Sequence, residues 1–156
     1  LATKRGEVSN RILSVGDHNR ARNLSRQLTP PPGLREVFEY TSSRGFTTFT
    51  GLFEGKPVSI VTTLMGMPNM DFVVRETRAV VESRMAFVRV GSCGVLQPPA
   101  GLGKLVVAES ARSCRRNPDA FAPGSTVDPY FLTEAIAADP AITQALLGHL
   151  GDALGD

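Results

Sequence analysis

At 156 residues the chain has the length of one ordinary domain and can bury a real core. Hydrophobic residues at 42% and charged residues at 21% exclude a disordered segment, and no stretch approaches the ~20 consecutive apolar residues that span a bilayer. The formal net charge of +2 conceals an asymmetry: all 17 Lys and Arg lie at or before Arg116, and from Asn117 onward there are six acidic residues and no basic one.

Arginine outnumbers lysine 14 to 3. Its planar fork of donors suits phosphate and carboxylate, although compositional drift accounts for the bias as well. The basic residues are scattered, aromatics are only 6% and no recognition motif occurs, so no nucleic-acid partner is expected. Leu1-Ala2-Thr3-Lys4-Arg5 leads into polar residues rather than a hydrophobic signal core. A soluble, cytoplasmic protein without a membrane partner is therefore the expectation. The two cysteines, Cys93 and Cys114, are 21 residues apart and the two histidines, His18 and His149, are distant, so neither a disulfide scaffold nor a metal site is indicated.

In chain order, Arg11-Ile12-Leu13-Ser14-Val15 reads as a short apolar strand ending at Gly16-Asp17. Arg20 to Gln27 has helical spacing, with Ala21, Leu24 and Leu28 on one side, and Thr29-Pro30-Pro31-Pro32-Gly33 stops it. Val37–Thr41 and Phe46–Phe53 are β-rich, Glu54-Gly55-Lys56 reads as a tight turn, and Val58–Thr63 returns as the second arm of a hairpin. Met65-Gly66-Met67-Pro68-Asn69 reads as a loop. A helix from about Met70 to Ser83 should carry Phe72, Val73, Val80 and Val81 inward. Met85–Val90 and Lys104–Ala108 read as further strands, the second followed by an arginine-rich loop. Helical spacing returns in Phe131–Ala138 and Ile142–Leu154. Strands alternating with helices predict a single α/β domain over residues 1–156, built on a mixed central β-sheet flanked by helices. Such a sheet normally carries more covering helices than the sequence offers before Gly155-Asp156.

Three glycine-bearing strand ends are candidates for ligand binding, because ligands of open α/β sheets sit beyond the carboxyl ends of the strands. They are Gly16-Asp17-His18-Asn19-Arg20, Met65-Gly66-Met67-Pro68 and Arg89-Val90-Gly91-Ser92-Cys93-Gly94. Taken singly, each is more often a turn than a binding loop. Arg89 is more informative. It lies inside an apolar run, where a charge is costly unless paired, so it is either on the open side of a strand or turned toward an anion. Arg44, between Ser42-Ser43 and the Phe46-Thr47-Thr48-Phe49 strand, alone reads as a solvated arginine. Cys93 reads as a small buried residue rather than a nucleophile, and Asp17-His18 as turn chemistry. Gly101-Leu102-Gly103-Lys104 lacks P-loop spacing, and no GxSxG elbow occurs.

Together and in this order, the segments resemble the nucleoside phosphorylase family, in its uridine phosphorylase type. Ile12 to Arg20 is similar to the family's strand followed by Gly-Asp-x-x-Arg. Arg44-Gly45-Phe46-Thr47-Thr48, with the Gly55-Lys56-Pro57-Val58 hairpin, resembles the family's Arg-Glu-Phe-Thr-Thr and its adjoining hairpin. Met65-Gly66-Met67-Pro68-Asn69 and Arg89-Val90-Gly91-Ser92-Cys93-Gly94, continued by Leu96-Gln97-Pro98, resemble two further motifs. The resemblance runs from about Arg11 to Pro123. It implies reversible phosphorolysis, in which inorganic phosphate is co-substrate and attacks the anomeric carbon of a nucleoside, with no other cofactor. By resemblance, Gly16, Arg20, Arg89 and Ser92 hold phosphate, with Arg89 as the catalytic residue among them. Arg44 reaches a neighbouring subunit's phosphate, which implies a catalytic homodimer within a hexamer, and Met65 packs on ribose. Gly45 stands where the family has Glu and Asn69 where it has Ser. These positions belong to a monovalent-cation site in some members, so that site is not expected. Lys104 stands where Asp is typical. The base-binding Gln and Arg and the Met-Glu-Ser/Thr motif are not found after Pro123. The expectation is an N-terminal part of a catalytic domain, with its C-terminal part missing and little turnover alone. The alternatives are a purine nucleoside phosphorylase and a non-catalytic phosphate- or nucleoside-binding module. Phosphate-gripping arginines argue against a nucleosidase, which would activate water instead.

Overall fold

The computed structural model describes residues 1–154; Gly155-Asp156 lie outside the described residues. The chain divides into two compact units, Leu1–Gly94 and a second from Val95 onward.

The first unit contains β1 (Arg11–Val15), α1 (His18–Ser25), β2 (Phe38–Thr41), β3 (Thr47–Phe53), β4 (Lys56–Thr62), α2 (Met67–Val80) and β5 (Ala86–Val90). They build one mixed sheet in the order β2-β3-β4-β1-β5, the α/β architecture predicted for the chain. β1 is parallel to both β4 and β5, while β2, β3 and β4 form an antiparallel meander. The β3–β4 hairpin closes on Glu54 and Gly55, both with positive φ (48° and 74°), a conformation whose twist suits a two-residue hairpin loop and which glycine adopts freely.

Alternation along β1 sends side chains to two cores. Ile12 joins Val8, Phe46, Val61, Val73 and Val81, a cluster on the α2 side. Val15 joins Ala21, Leu28, Phe49 and Ile60 on the α1 side. A strand covered on both faces reads as a continuous apolar run, which is how Arg11–Val15 reads in sequence. Arg22 of α1 pairs with Glu39 of β2 at 2.6 Å and lies over the Phe49 ring, tying the helix to the meander.

The interior is rich in hydroxyls: Ser14, Thr47, Thr48, Ser59, Thr62, Thr63 and Thr77 are all buried. Most are bonded across strands. The Ser59 Oγ receives the Ser9 N–H at 2.7 Å and meets the Thr50 Oγ1 at 2.7 Å, and the Thr62 Oγ1 receives the Thr47 N–H at 2.7 Å. Each such bond offsets the desolvation of a buried hydroxyl.

Several elements differ from the sequence reading. Met67 already belongs to α2, because Pro68 fits the first turn of a helix, where its missing N–H costs nothing. Phe72 is 41% exposed rather than inward, while Val73 and Val81 are buried as predicted.

In the second unit, Lys104–Ala108 is not a strand. Among the described residues no ladder pairs with it, and Leu105 and Val106 stay exposed. The arginine-rich loop instead contains β6 (Ser110–Ala111) and β7 (Cys114–Arg116), and a short 3-10 turn follows at Pro118–Phe121. Phe131–Ala138, predicted helical, supplies β8 (Tyr130–Leu132) and β9 (Ile136–Ala137), with β7–β8 and β6–β9 forming two antiparallel ribbons. The last predicted helix is present as α3 (Pro140–Leu154). No helix among the described residues is long and apolar enough to cross a membrane.

Gly51 on β3 offers a direct check of packing. A Cβ there would lie 2.8 Å from the Thr29 carbonyl oxygen and 3.0 Å from the Leu28 Cβ. Gly51→Ala should therefore lose ~1–3 kcal/mol of stability in chemical denaturation; an unchanged midpoint would show that the Leu28–Thr29 segment yields without cost.

Candidate functional site

The register of the parallel strands creates the site. Val15 is opposite Thr62 on one side and Val90 on the other, so Gly16, Thr63 and Gly91 leave the sheet side by side at its carboxyl edge. Here α1 begins. Asp17 is its N-cap, with extended backbone and a carboxylate that accepts the Arg20 N–H at 2.8 Å. That geometry confirms the turn role read for Asp17 and leaves the first N–H groups of the helix pointing out at the strand ends.

Gly16 allows close approach. A Cβ there would sit 3.3 Å from the Leu64 carbonyl oxygen and 3.4 Å from the Arg89 Nη2. The Arg89 guanidinium therefore lies against Gly16, which unites two of the residues singled out in sequence. Arg89 is opposite Ser14 across the ladder, and its Nη1 donates to the Thr63 Oγ1 at 2.6 Å. The residue is exposed, on a strand paired only with β1 among the described residues. It has no carboxylate partner among the described residues, whose ion pairs involve the Leu1 ammonium, Arg5, Arg22 and Arg75.

Arg20 lies half-buried in the first turn of α1, its backbone fixed by Asp17. Ser92 follows β5 and is exposed. Cys93 is exposed too, correcting the expectation of a buried thiol. Met65 is 87% exposed, in a loop that starts with Leu64 at φ 53° and Gly66 at φ 90°. A left-handed leucine stores about 1 kcal/mol of backbone strain or more, and the Asn69 Nδ2 steadies the loop by donating to the Met65 carbonyl at 2.8 Å.

Arg44 is exposed in the β2–β3 connection, which leaves the sheet at the same edge, because Thr48 and Ser14 are both opposite Val61. That connection is a closed turn, with the Gly45 N–H on the Ser42 carbonyl at 2.9 Å and the Phe46 N–H on the Ser42 Oγ at 3.2 Å. Gly45 has φ 84°.

Sequence reasoning missed two polar anchors. One is Thr63, whose signal was a hydroxyl closing an apolar strand immediately before a glycine loop. The other is His18, whose Nδ1 meets the buried Thr47 Oγ1 at 3.0 Å, with Thr41 Oγ1 2.9 Å beyond; it links the start of α1 to the start of β3.

The sequence model of the phosphorylase superfamily matches residues 10–154, well past Pro123. A DeoD-type purine nucleoside phosphorylase from Caldanaerobacter subterraneus subsp. tengcongensis is 34% identical over 113 residues, 71% of this chain and 45% of that protein. A uridine phosphorylase from Thermococcus kodakarensis is 32% identical over 111 residues, 71% of this chain and 37% of that one. A solved structure from a structural and catalytic analysis of two diverse uridine phosphorylases in the oomycete Phytophthora capsici superposes with a TM-score of 0.91 and 41% identity. It covers 99% of this chain and 52% of the other. The chain thus spans about half the length of these relatives, or less.

The cap on α1 can be checked separately from any ligand. Asp17→Ala should lower stability by ~1 kcal/mol, whereas Asp17→Asn should stay close to wild type, since either oxygen can accept the Arg20 N–H. Equal denaturation midpoints for Ala and Asn would show that the cap contributes nothing.

Proposed function

Because the chain belongs to the phosphorylase superfamily, we propose that the protein catalyses reversible phosphorolysis of a nucleoside, uridine or a relative, to free base and ribose 1-phosphate. A phosphate oxygen attacks the anomeric carbon. The glycosidic C–N bond breaks, and its electron pair leaves with the base, which takes up a proton. Phosphate is itself the nucleophile, so no covalent enzyme nucleophile is needed. The protein has to hold the dianion in line with the sugar and stabilise the charge that develops as the base departs.

The observation that carries the reading is the Arg89 guanidinium, placed against Gly16 at the strand ends and without a carboxylate partner among the described residues. In this proposal Arg89 and Arg20 bind phosphate as charge-assisted donors. The Gly16 N–H and the Ser92 hydroxyl complete the cradle, beside the N-terminus of α1. Met65 covers the ribose. Arg44, in an exposed turn, serves the phosphate of a second subunit, making a homodimer the catalytic unit within a larger oligomer. Uridine is favoured by the Phe46-Thr47-Thr48 hairpin and by the likeness to a solved uridine phosphorylase structure. A purine nucleoside is the second reading, favoured by the DeoD-type relatives.

The test is phosphate-dependent release of uracil from uridine, with inosine as the parallel substrate, by protein of full family length. Release from uridine supports the first reading, release of hypoxanthine the second, and phosphate binding with neither supports a non-catalytic module. Arg89→Ala should raise the phosphate KM by about tenfold or more, the value of one hydrogen bond to a charged group; unchanged phosphate saturation would remove Arg89 from the site. Arg44→Ala should be impaired alone, yet mixing it with Arg89→Ala should rebuild roughly a quarter of the sites in randomly assorted dimers. Absence of any recovery on mixing would place Arg44 outside a shared site.

A further inference from the structure

An anion-binding arginine has to be aimed without being neutralised. A carboxylate would aim it, and would also compete with the incoming phosphate for the same fork of donors. Arg89 is aimed differently. One of its five N–H donors is taken by the Thr63 hydroxyl at 2.6 Å, and no acidic residue among the described residues pairs with it. We propose that Thr63 is the positioning residue of the anion site, its buried hydroxyl holding the Arg89 guanidinium over Gly16 while leaving the positive charge intact. The proposal rests on the reading of Arg89 as a phosphate ligand.

The surroundings of Thr63 support this role. The residue is 1% exposed. A hydroxyl has one proton to give and two lone pairs to offer, and all three are used. The Thr63 Oγ1 donates to the Val15 carbonyl at 3.2 Å, and it accepts from the Arg89 Nη1 at 2.6 Å and from the Ser14 Oγ at 3.4 Å. The Thr63 N–H donates to the same Val15 carbonyl at 2.8 Å. Backbone and side chain are thus pinned to one point on β1, and β-branching restricts χ1 further. With its proton committed to Val15, the hydroxyl presents a lone pair to Arg89. Rotation cannot turn that lone pair into a competing donor without breaking the bond to Val15.

The same pin lies directly before Leu64, whose φ of 53° is strained, and before Met65. Fixing Thr63 therefore also fixes where the strained loop departs. A hydroxyl that served packing alone would affect stability, and would leave the affinity for phosphate unmoved relative to the affinity for nucleoside.

The experiment compares Thr63→Val and Thr63→Ser with wild type in protein of full family length, with inorganic phosphate varied at saturating nucleoside and the reverse. Thr63→Val keeps the shape and removes the hydroxyl. It should raise the phosphate KM about tenfold and leave kcat at saturating phosphate near wild type. Thr63→Ser should restore the phosphate KM. A Thr63→Val protein with wild-type phosphate saturation overturns the proposal. A wild-type protein whose base release ignores phosphate overturns instead the reading of the site on which it rests. If Thr63→Val fails to fold, Thr63→Ala and Thr63→Ser are compared by calorimetric titration with inorganic phosphate. Weaker binding by the alanine protein supports the proposal, and equal binding overturns it.

Discussion

Everything at the candidate site depends on β1 being hydrogen-bonded on both flanks by parallel strands in a fixed register. With Val15 opposite both Thr62 and Val90, the chain leaves the sheet at three adjacent points on one edge. A slip of one residue in either ladder would turn Ser14, Thr63 or Arg89 to the opposite face and separate the guanidinium from both the hydroxyl and Gly16. Register is held by apolar side chains on two faces: Ile12 and Val61 toward α2, Val15 and Ile60 toward α1. Packing far from the candidate site is thus what aligns that edge.

The hydroxyl-rich interior belongs to the same logic. Threonine and serine are close in volume to small apolar residues, but each must find partners when buried. Thr47, Thr62 and Ser59 do so across strands, and Thr63 does so at the strand end. The Thr48 and Thr77 hydroxyls are buried without a partner among the described residues. A satisfied hydroxyl network carries directional information that methyl groups lack.

Much of the first unit was legible in the sequence. Arg11–Val15, the Phe46–Phe53 and Val58–Thr63 arms and the Glu54-Gly55 turn lie within a residue or two of the observed elements, because each buries a face that its spacing reports. The ends of α2 were harder to read, since Pro68 suggests a loop unless its place in a first turn is recognised. Past Val95 the sequence misled. Phe131–Ala138 has helical spacing but forms two short strands, and Lys104–Ala108 is rich in valine and leucine but unpaired. Leu105, Val106, Phe131, Leu132 and Ile136 are all exposed, so apolar spacing there has no core to register against. At the site, Gly16 and Arg89 were found because glycine at a strand end and a charge in an apolar run are both anomalies. Thr63 was not found, because threonine at the end of a strand is ordinary. Its significance is a distance, and a sequence contains none.

The position of β1 also bears on how the protein acquires its structure. The strand precedes the other described strands and is second from the edge in the sheet, and its partners lie far downstream: Ile12 is opposite Ser59, and Arg11 is opposite Ala86. The β2-β3-β4 meander, by contrast, needs only neighbouring segments and can form early. On the ribosome, β1 must wait as an uncommitted apolar segment until β4 and then β5 have emerged. During that interval the meander presents the open edge of β4, and β1 itself is a segment that could pair with another nascent copy. The strand that aligns the candidate binding edge of the finished molecule is, during synthesis, open to capture by the wrong chain.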